Sequence, residues 1–232
     1  MSWQIFHYDE ISSTNDIALE RSRNAEDRFV VYADTQTAGR GRRGRTWYSP
    51  RGNLYFSVCL PYSLPQCGTL VMLCSLSLLQ TIKTFCPTAD VQLKWPNDVL
   101  LNNAKISGML LEKGENDYMI VGIGVNITQS PDQSQILYPA ISLAEADVRV
   151  NCKDFLDTFL KIFDKNIDID DIASVRRQWL HYAKDLNKSV VVRQEKSEIK
   201  GIFIGIDENA NLLLNTENGL QKILVGDVFY DG

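Results

Sequence analysis

Histidine is nearly absent from this chain: 232 residues contain two, His7 and His181, far apart. The five cysteines (Cys59, Cys67, Cys74, Cys86, Cys152) are odd in number, include no C-x-x-C pair, and mostly sit inside apolar runs. These facts argue against a zinc site and against a disulfide framework, leave no metal-ligand set to expect, and make the cysteines small core residues. Positive charge is also in short supply, with 24 Lys and Arg against 29 Asp and Glu and a net charge of −5. A general nucleic-acid binder spreads basic charge over a face or stripe, which this composition does not provide. The first ten residues lack the basic start and apolar core of a signal peptide. The longest apolar run, Thr69 to Cys86, is broken by Ser75, Ser77, Gln80 and Lys83, so a membrane span is not expected and a cytoplasmic setting is. What remains is an ordinary globular composition, 44% hydrophobic and 23% charged, enough for one large domain or a domain with a small satellite.

The scarce positive charge is concentrated. Between Asp34 and Ser57, four glycines (Gly39, Gly41, Gly44, Gly52) alternate with five arginines (Arg40, Arg42, Arg43, Arg45, Arg51). Glycine lets backbone approach a ligand closely, and arginine offers a permanent planar charge suited to phosphate and carboxylate oxygens. The pattern describes a mobile loop that closes on a small anion. An arginine-glycine segment for RNA is the competing reading, and the acidic remainder of the molecule weighs against it.

The hydroxyl cluster Ser12, Ser13, Thr14 and Asn15 precedes Ile17, Ala18 and Leu19, so Ser13 or Thr14 is expected to cap a helix and can also meet a polar ligand head. Strands are expected at Ile5 to Tyr8, Phe29 to Ala33, Asn53 to Leu60 and Val91 to Trp95, with a long core helix from Gln66 to Phe85. Asn102-Asn103 marks a hairpin turn, and Gly114-Glu115-Asn116 joins strands Ile106 to Lys113 and Tyr118 to Ile127. The G-I-G-V-N of residues 122 to 126 lacks the third glycine of a dinucleotide fingerprint, and its glycines suit close approach of a neighbour. From Ser142 the pattern turns helical, with Phe155, Phe159 and Phe163 on one core face, and a further helix covers roughly Asp171 to Tyr182. Short β-rich pieces from Ser189 to Val228 suggest a small barrel, giving domains 1–186 and 187–232.

Five blocks in order then resemble the biotin protein ligases: S-S-T-N (12–15), Q-T-A-G-R-G-R-R-G-R-T-W-Y-S-P-R-G-N-L-Y-F-S (36–57), K-W-P-N-D (94–98), K-I-S-G-M-L-L-E (105–112) and G-I-G-V-N-I (122–127). G-I-D-E-N-A-N-L-L-L (205–214) is similar to that family's C-terminal barrel, so the resemblance covers nearly the whole chain. It implies an α+β fold: a mixed, mostly antiparallel sheet flanked by helices, of the class II synthetase-like type, with a small SH3-like β-barrel. It also implies ATP and biotin as substrates, Mg2+ with the nucleotide, biotinyl-5′-AMP as intermediate, and a biotin carboxyl carrier domain as acceptor. No nucleic-acid or membrane partner is expected, and monomer and homodimer both stay open. Ser12 lies too near Met1 for the helix-turn-helix domain of the family's repressor members, so the single-function form is implied.

Carried over residue by residue, the resemblance puts Ser13, Thr14, Asn15 and Gln36 at biotin's ureido ring. Arg40, Gly41 and Arg42 fall over its carboxylate and the adenylate phosphate, with Arg42 as main phosphate contact. Lys105 would bridge the biotin carboxylate and the α-phosphate. Arg45, Trp47 and Asn126 would hold the adenylate, Trp47 through its aromatic face. Asp98 would orient the incoming lysine, although an Asp after Asn is also a common turn residue. Trp95 and Pro96 are expected to be structural. Ligation of lipoate or octanoate, on a related fold with the same adenylate logic, is the neighbouring alternative.

Overall fold

The computed structural model describes residues 3–61, 67–136, 138–167, 171–195 and 197–230. Seven strands form the main sheet: β1 (Gln4–Ile11), β2 (Phe29–Gln36), β3 (Leu54–Pro61), β4 (Val91–Lys94), β5 (Asp98–Leu101), β6 (Ala104–Lys113) and β7 (Tyr118–Val125), in the spatial order β1-β2-β3-β7-β6-β5-β4. Only β1 and β2 run parallel; every other ladder is antiparallel. β1 extends past the expected Tyr8, and β2 past Ala33, because their parallel register continues to Ile11 opposite Gln36.

Two of the hairpins follow from turn chemistry. Asn102 and Asn103 have φ of 50° and 65°, the paired left-handed geometry that asparagine tolerates and that matches strand twist, and they join β5 to β6. Asn116 and Asp117 do the same between β6 and β7. The β4–β5 connection instead passes through a cis Trp95-Pro96 bond, which ends β4 at Lys94, one residue before the expected Trp95.

Helix α1 (Thr14–Ser22) packs on β2, β3 and β7. Helices α2 (Cys67–Phe85), α3 (Cys152–Ile167) and α4 (Ile172–His181) pack together, with α2 lying on β4, β5 and β6. Gln66, the expected first residue of α2, is outside the described residues. By length and composition the Gly68–Phe85 stretch is apolar enough to cross a membrane, a property it shares with buried core helices. Packing accounts for its apolarity, since 67% of the stretch is buried inside the protein. Phe155, Phe159 and Phe163 of α3 are fully buried, as their spacing predicts.

The helical reading from Ser142 needs correction. Residues 142–151 hold only a short 3-10 turn at Ala144–Ala146, where Glu145 accepts from the Ser142 amide and hydroxyl. Asp147 then takes a left-handed φ of 59°, which stops propagation, and α3 begins at Cys152.

The C-terminal strands β8 (Ser189–Arg193), β9 (Glu198–Ile206), β10 (Leu212–Thr216), β11 (Gly219–Ile223) and β12 (Asp227–Tyr230) make a second, antiparallel sheet in the order β11-β10-β9-β8-β12. It shares one apolar core with the main sheet: Val190, Val192, Phe203 and Val228 belong to the cluster that contains Leu93, Trp95 and the α2 leucines. Trp95 is structural, as expected. It is buried, and its Nε1 donates to the Ala210 carbonyl at 2.8 Å, tying the β4–β5 turn to the second sheet.

Candidate active site

All twelve residues singled out from the sequence line one cavity of about 550 Å3. Its floor is the β6–β7 ladder, its neutral end is the start of α1, and its roof is the arginine loop.

At the neutral end Ser13 has the extended backbone of an N-cap, yet its hydroxyl caps nothing. The side chain therefore offers its oxygen to the cavity. Thr14 is the first helical residue, and its amide, one of the unpaired donors of a helix start, gives its proton to Gln36 Oε1 at 2.8 Å. Gln36 Nε2 donates to Ser49 Oγ at 3.0 Å, and Ser49 Oγ to the Trp47 carbonyl at 2.9 Å. Ser57 Oγ lies 2.6 Å from Asn15 Oδ1 and 2.8 Å from Thr14 Oγ1. A hydroxyl has one proton and an amide oxygen only accepts, so Ser57 donates to Asn15 and Thr14 donates to Ser57. Asn15 Nδ2 in turn donates to Glu112 at 2.7 Å. Asn15 is thereby a strut that fixes the hydroxyls, with both ends of its amide bound to protein.

The glycines of G-I-G-V-N explain themselves here. A Cβ at Gly122 would stand 2.2 Å from Asn15 Oδ1, and one at Gly124 would stand 2.3 Å from Trp47 Nε1. The first glycine seats the strut; the second lets the indole lie flat on the strand. Trp47 Nε1 is buried without a hydrogen-bond partner.

The arginine loop folds back as a narrow hairpin. Gly41 N donates to Arg45 O at 2.6 Å, Trp47 N donates to Gly39 O at 2.9 Å, and Arg43 and Gly44 turn the chain with φ of 55° and 71°. Its arginines divide by partner. Arg40 is bidentate on Glu112 (3.0 and 2.9 Å) and also meets Asp16 at 2.7 Å. Arg43 and Arg45 converge on Asp227 of β12, at 3.3 and 2.7 Å. Arg42 pairs with no carboxylate among the described residues, and its one bond is a long 3.5 Å contact to Asn97 Oδ1. Burial pulls its pKa below the ordinary guanidinium value, Asp227 opposes this, and Arg43 adds to it. An arginine held this way is an anion site in waiting.

Opposite it, Lys105 Nζ sits 2.6 Å from Asp98 Oδ1 and 5.4 Å from the Trp47 ring centre. Lys105 and Asp98 reach each other because a bulge in the β5–β6 register lies between their rows. Asn126 is nearly fully buried, and its Nδ2 donates to the Ile141 carbonyl at 3.1 Å. The polar residues that line or brace this cavity and were not singled out from the sequence include Asp16, Asn97, Glu112 and Asp227. Asn97 and Glu112 fall inside the recognised blocks, whereas nothing near Asp227 in the sequence signals a site.

Comparison with known proteins agrees with this geometry. Residues 8–126 match the model of the Biotin/lipoate A/B protein ligase family, and residues 185–230 match that of the Biotin protein ligase C terminal domain. The chain is 35% identical to the biotin–[acetyl-CoA-carboxylase] ligase of Paracoccus denitrificans, across 95% of this chain and 98% of that protein. It is 32% identical to the bifunctional ligase/repressor BirA of Bacillus subtilis, over 98% of this chain but 74% of that protein. Among solved structures, the biotin protein ligase of Aquifex aeolicus in complex with biotin and ATP superposes with a TM-score of 0.82 at 30% identity, covering 97% of each chain. The chain belongs to the biotin/lipoate A/B protein ligase family, among its biotin protein ligases.

Proposed function

We propose that this protein activates biotin with ATP to biotinyl-5′-AMP and transfers the biotinyl group to a specific lysine of a biotin carboxyl carrier domain. The observation that carries this reading is the division of a single cavity into a neutral hydrogen-bonding end and a cationic end, joined by an indole face. A ureido ring needs neutral donors and acceptors, and Ser13, Thr14, Asn15 and Gln36 supply or brace them. Adenylation brings a carboxylate against a phosphate, and Arg42 and Lys105 supply the charge that offsets their repulsion.

In the first step a biotin carboxylate oxygen attacks the α-phosphorus, the bond to the bridging oxygen breaks, and that oxygen leaves with pyrophosphate. Arg42 and Lys105 hold both anions in line, and Arg40 and Gly41 close over the carboxylate. Magnesium enters with ATP as part of the substrate; the Asp98 and Asp227 carboxylates that line the cavity are donors of the kind it takes. Trp47 and Asn126 receive the adenosine, with Arg45 at the phosphate side. In the second step the uncharged ε-amine of the acceptor lysine attacks the anhydride carbonyl, and AMP leaves. Asp98 orients that amine and takes its proton once Lys105 has turned to the phosphate, a reading its 2.6 Å contact with Lys105 supports. Residues 1–186 carry the adenylating site, and residues 187–232 form the C-terminal unit that supplies Asp227.

Pyrophosphate–ATP exchange on the purified chain with magnesium, comparing biotin, lipoate and octanoate, tests the reading. Exchange with biotin alone is expected. Exchange with lipoate or octanoate moves the chain to the lipoate side of its family, and none with any acid in folded protein overturns adenylation.

A further inference from the structure

A second cavity, of about 500 Å3, shares no lining residue with the first. Two periodicities build it. Ile17, Glu20 and Arg21 of α1, with Asn24 just past its end, follow helical spacing and fall on one face. Gln4, Phe6 and Tyr8 of β1 alternate along the strand and point to one side of the sheet. Ala25, Glu26 and Phe29 close the far end. Since β1 is the edge strand, no further strand of the main sheet covers the cavity on that side.

Its charges are left apart. Arg21, half-buried, lies over the Phe6 ring at 3.5 Å and donates from Nε and Nη2 to the Tyr8 hydroxyl at 3.2 and 2.9 Å. Stacked and pinned in this way, the guanidinium has little freedom left to lose on binding. Among the described residues it has no carboxylate partner, although Glu20 and Glu26 line the same cavity. The Tyr8 hydroxyl accepts from Arg21 and donates to none of the described residues, so its proton and those on Arg21 Nη1 are open to an oxyanion. Glu20 and Glu26 are exposed, and they too form no ion pair among the described residues. Phe6, Ile17 and Phe29 make the apolar floor, with Phe6 edge-on to Phe29 at 6.1 Å. The volume is that of a small-molecule site. A plain carboxylate would satisfy Arg21 but meet the repulsion of two glutamates, and a plain amine would face the reverse. A molecule carrying both charges and an apolar body satisfies all three walls.

We propose that this cavity binds a free apolar α-amino acid. Its carboxylate takes Arg21 Nη1 and the Tyr8 hydroxyl, its ammonium takes Glu20 and Glu26, and its side chain lies on Phe6, Ile17 and Phe29. The site is separate from the adenylating one: α1 carries Thr14 and Asn15 at its start and Arg21 seven residues on, about 10 Å along the helix. Binding here does not depend on the adenylation reading, and it is measured without turnover.

Titration calorimetry of L-leucine and L-phenylalanine into the full chain is the test, with and without saturating biotin. Saturable binding with a Kd on the order of 0.1–1 mM is expected, unchanged by biotin. No binding of either below about 10 mM, or leucine binding that biotin abolishes, overturns the proposal. Isocaproate is leucine without its ammonium, and isopentylamine is leucine without its carboxylate. Each loses a charge-assisted contact and should bind at least about tenfold more weakly than leucine; equal affinity for either overturns the assignment to a zwitterion. Arg21→Gln should weaken leucine by at least about tenfold, and an unchanged Kd sinks the site. Because Arg21 also holds Tyr8, the exposed pair Glu20→Gln and Glu26→Gln supplies a check that leaves the fold alone. That double variant should weaken leucine by about tenfold without weakening isocaproate. Leucine bound as in wild type, or an equal loss for both compounds, overturns the placement of the ammonium.

Discussion

The two ends of the cavity are pre-organised in opposite ways. At the neutral end, Thr14, Asn15, Gln36, Ser49 and Ser57 bond one another across α1, β2, β3 and the loop, with donors and acceptors matched. At the charged end, Arg43 and Arg45 rest on Asp227 and Lys105 on Asp98, while Arg42 has no carboxylate among the described residues. A ligand arriving at the first end finds oxygens already aimed and displaces little protein. A ligand at the second end has to take cations from carboxylates that stand in its place. On the proposed reading the difference teaches that specificity for the neutral ring is stored in the sheet, whereas affinity for the anion is set by an exchange of ions.

Removing a cation from the charged end should give the largest effect. Lys105→Met leaves Asp98 without its 2.6 Å partner and deletes the charge proposed to face both reacting anions. A charge-assisted contact is worth about 1.5–3 kcal/mol, so adenylation kcat/KM should fall at least tens-fold in the exchange assay. Arg42→Gln should fall comparably, with little loss of Tm, since among the described residues its side chain makes only one long bond. A drop below about threefold for both would remove the electrostatic account.

Breaking the neutral end takes a methyl group. Gly122→Ala places a carbon 2.2 Å from Asn15 Oδ1, so Asn15 must leave Ser57 or Glu112. Overpacking of this kind costs about 1–3 kcal/mol. The expected result is a roughly tenfold rise in the KM for biotin with the KM for ATP nearly unchanged. Equal rises in both would show that the two ends do not act separately.

These variants also mark how much was legible before the structure. The hydroxyl cluster and the arginine run announce themselves because each is local and chemically distinctive, whereas Lys105 is marked only by the family resemblance. The asparagine turn at 102–103 is equally local, and its positive φ values follow from residue type alone. What escaped depends on distance in the chain: Asp227 meets Arg45 across 182 positions, and Arg40 meets Glu112 across 72. Sheet order sets those meetings, and no neighbouring residue encodes them. The failed helix at 142–151 is a different case, since Glu145 folds back onto Ser142 and Asp147 turns left-handed.

Salt sharpens the comparison without a mutation. Raising ionic strength from about 0.05 M to about 0.5 M shortens the screening length severalfold and weakens exchange between solvent-facing ions. The KM for ATP should rise severalfold over that range and the Kd for biotin by much less. Titration calorimetry for biotin and exchange kinetics for ATP measure the two. A biotin Kd as salt-sensitive as the KM for ATP would mean that biotin is held mainly through its carboxylate.

The smallest effect should come from Asp227→Asn, and its sign is informative. Asp227 is 23% exposed and its partners Arg43 and Arg45 are 24% and 44% exposed, so the pairs are solvent-screened and worth less than about 1 kcal/mol each in stability. If Asp227 competes with phosphate for these arginines, its neutralisation frees them, and the KM for ATP falls about two- to threefold while that for biotin stays put. If Asp227 instead holds the loop in its working shape, the KM for ATP rises, and residues 39–51 become more protease-sensitive without ligand. Cleavage of that segment with and without biotin and ATP, in both proteins, separates the two. Competition predicts equal ligand protection in wild type and variant; a scaffold predicts protection that only the wild type shows.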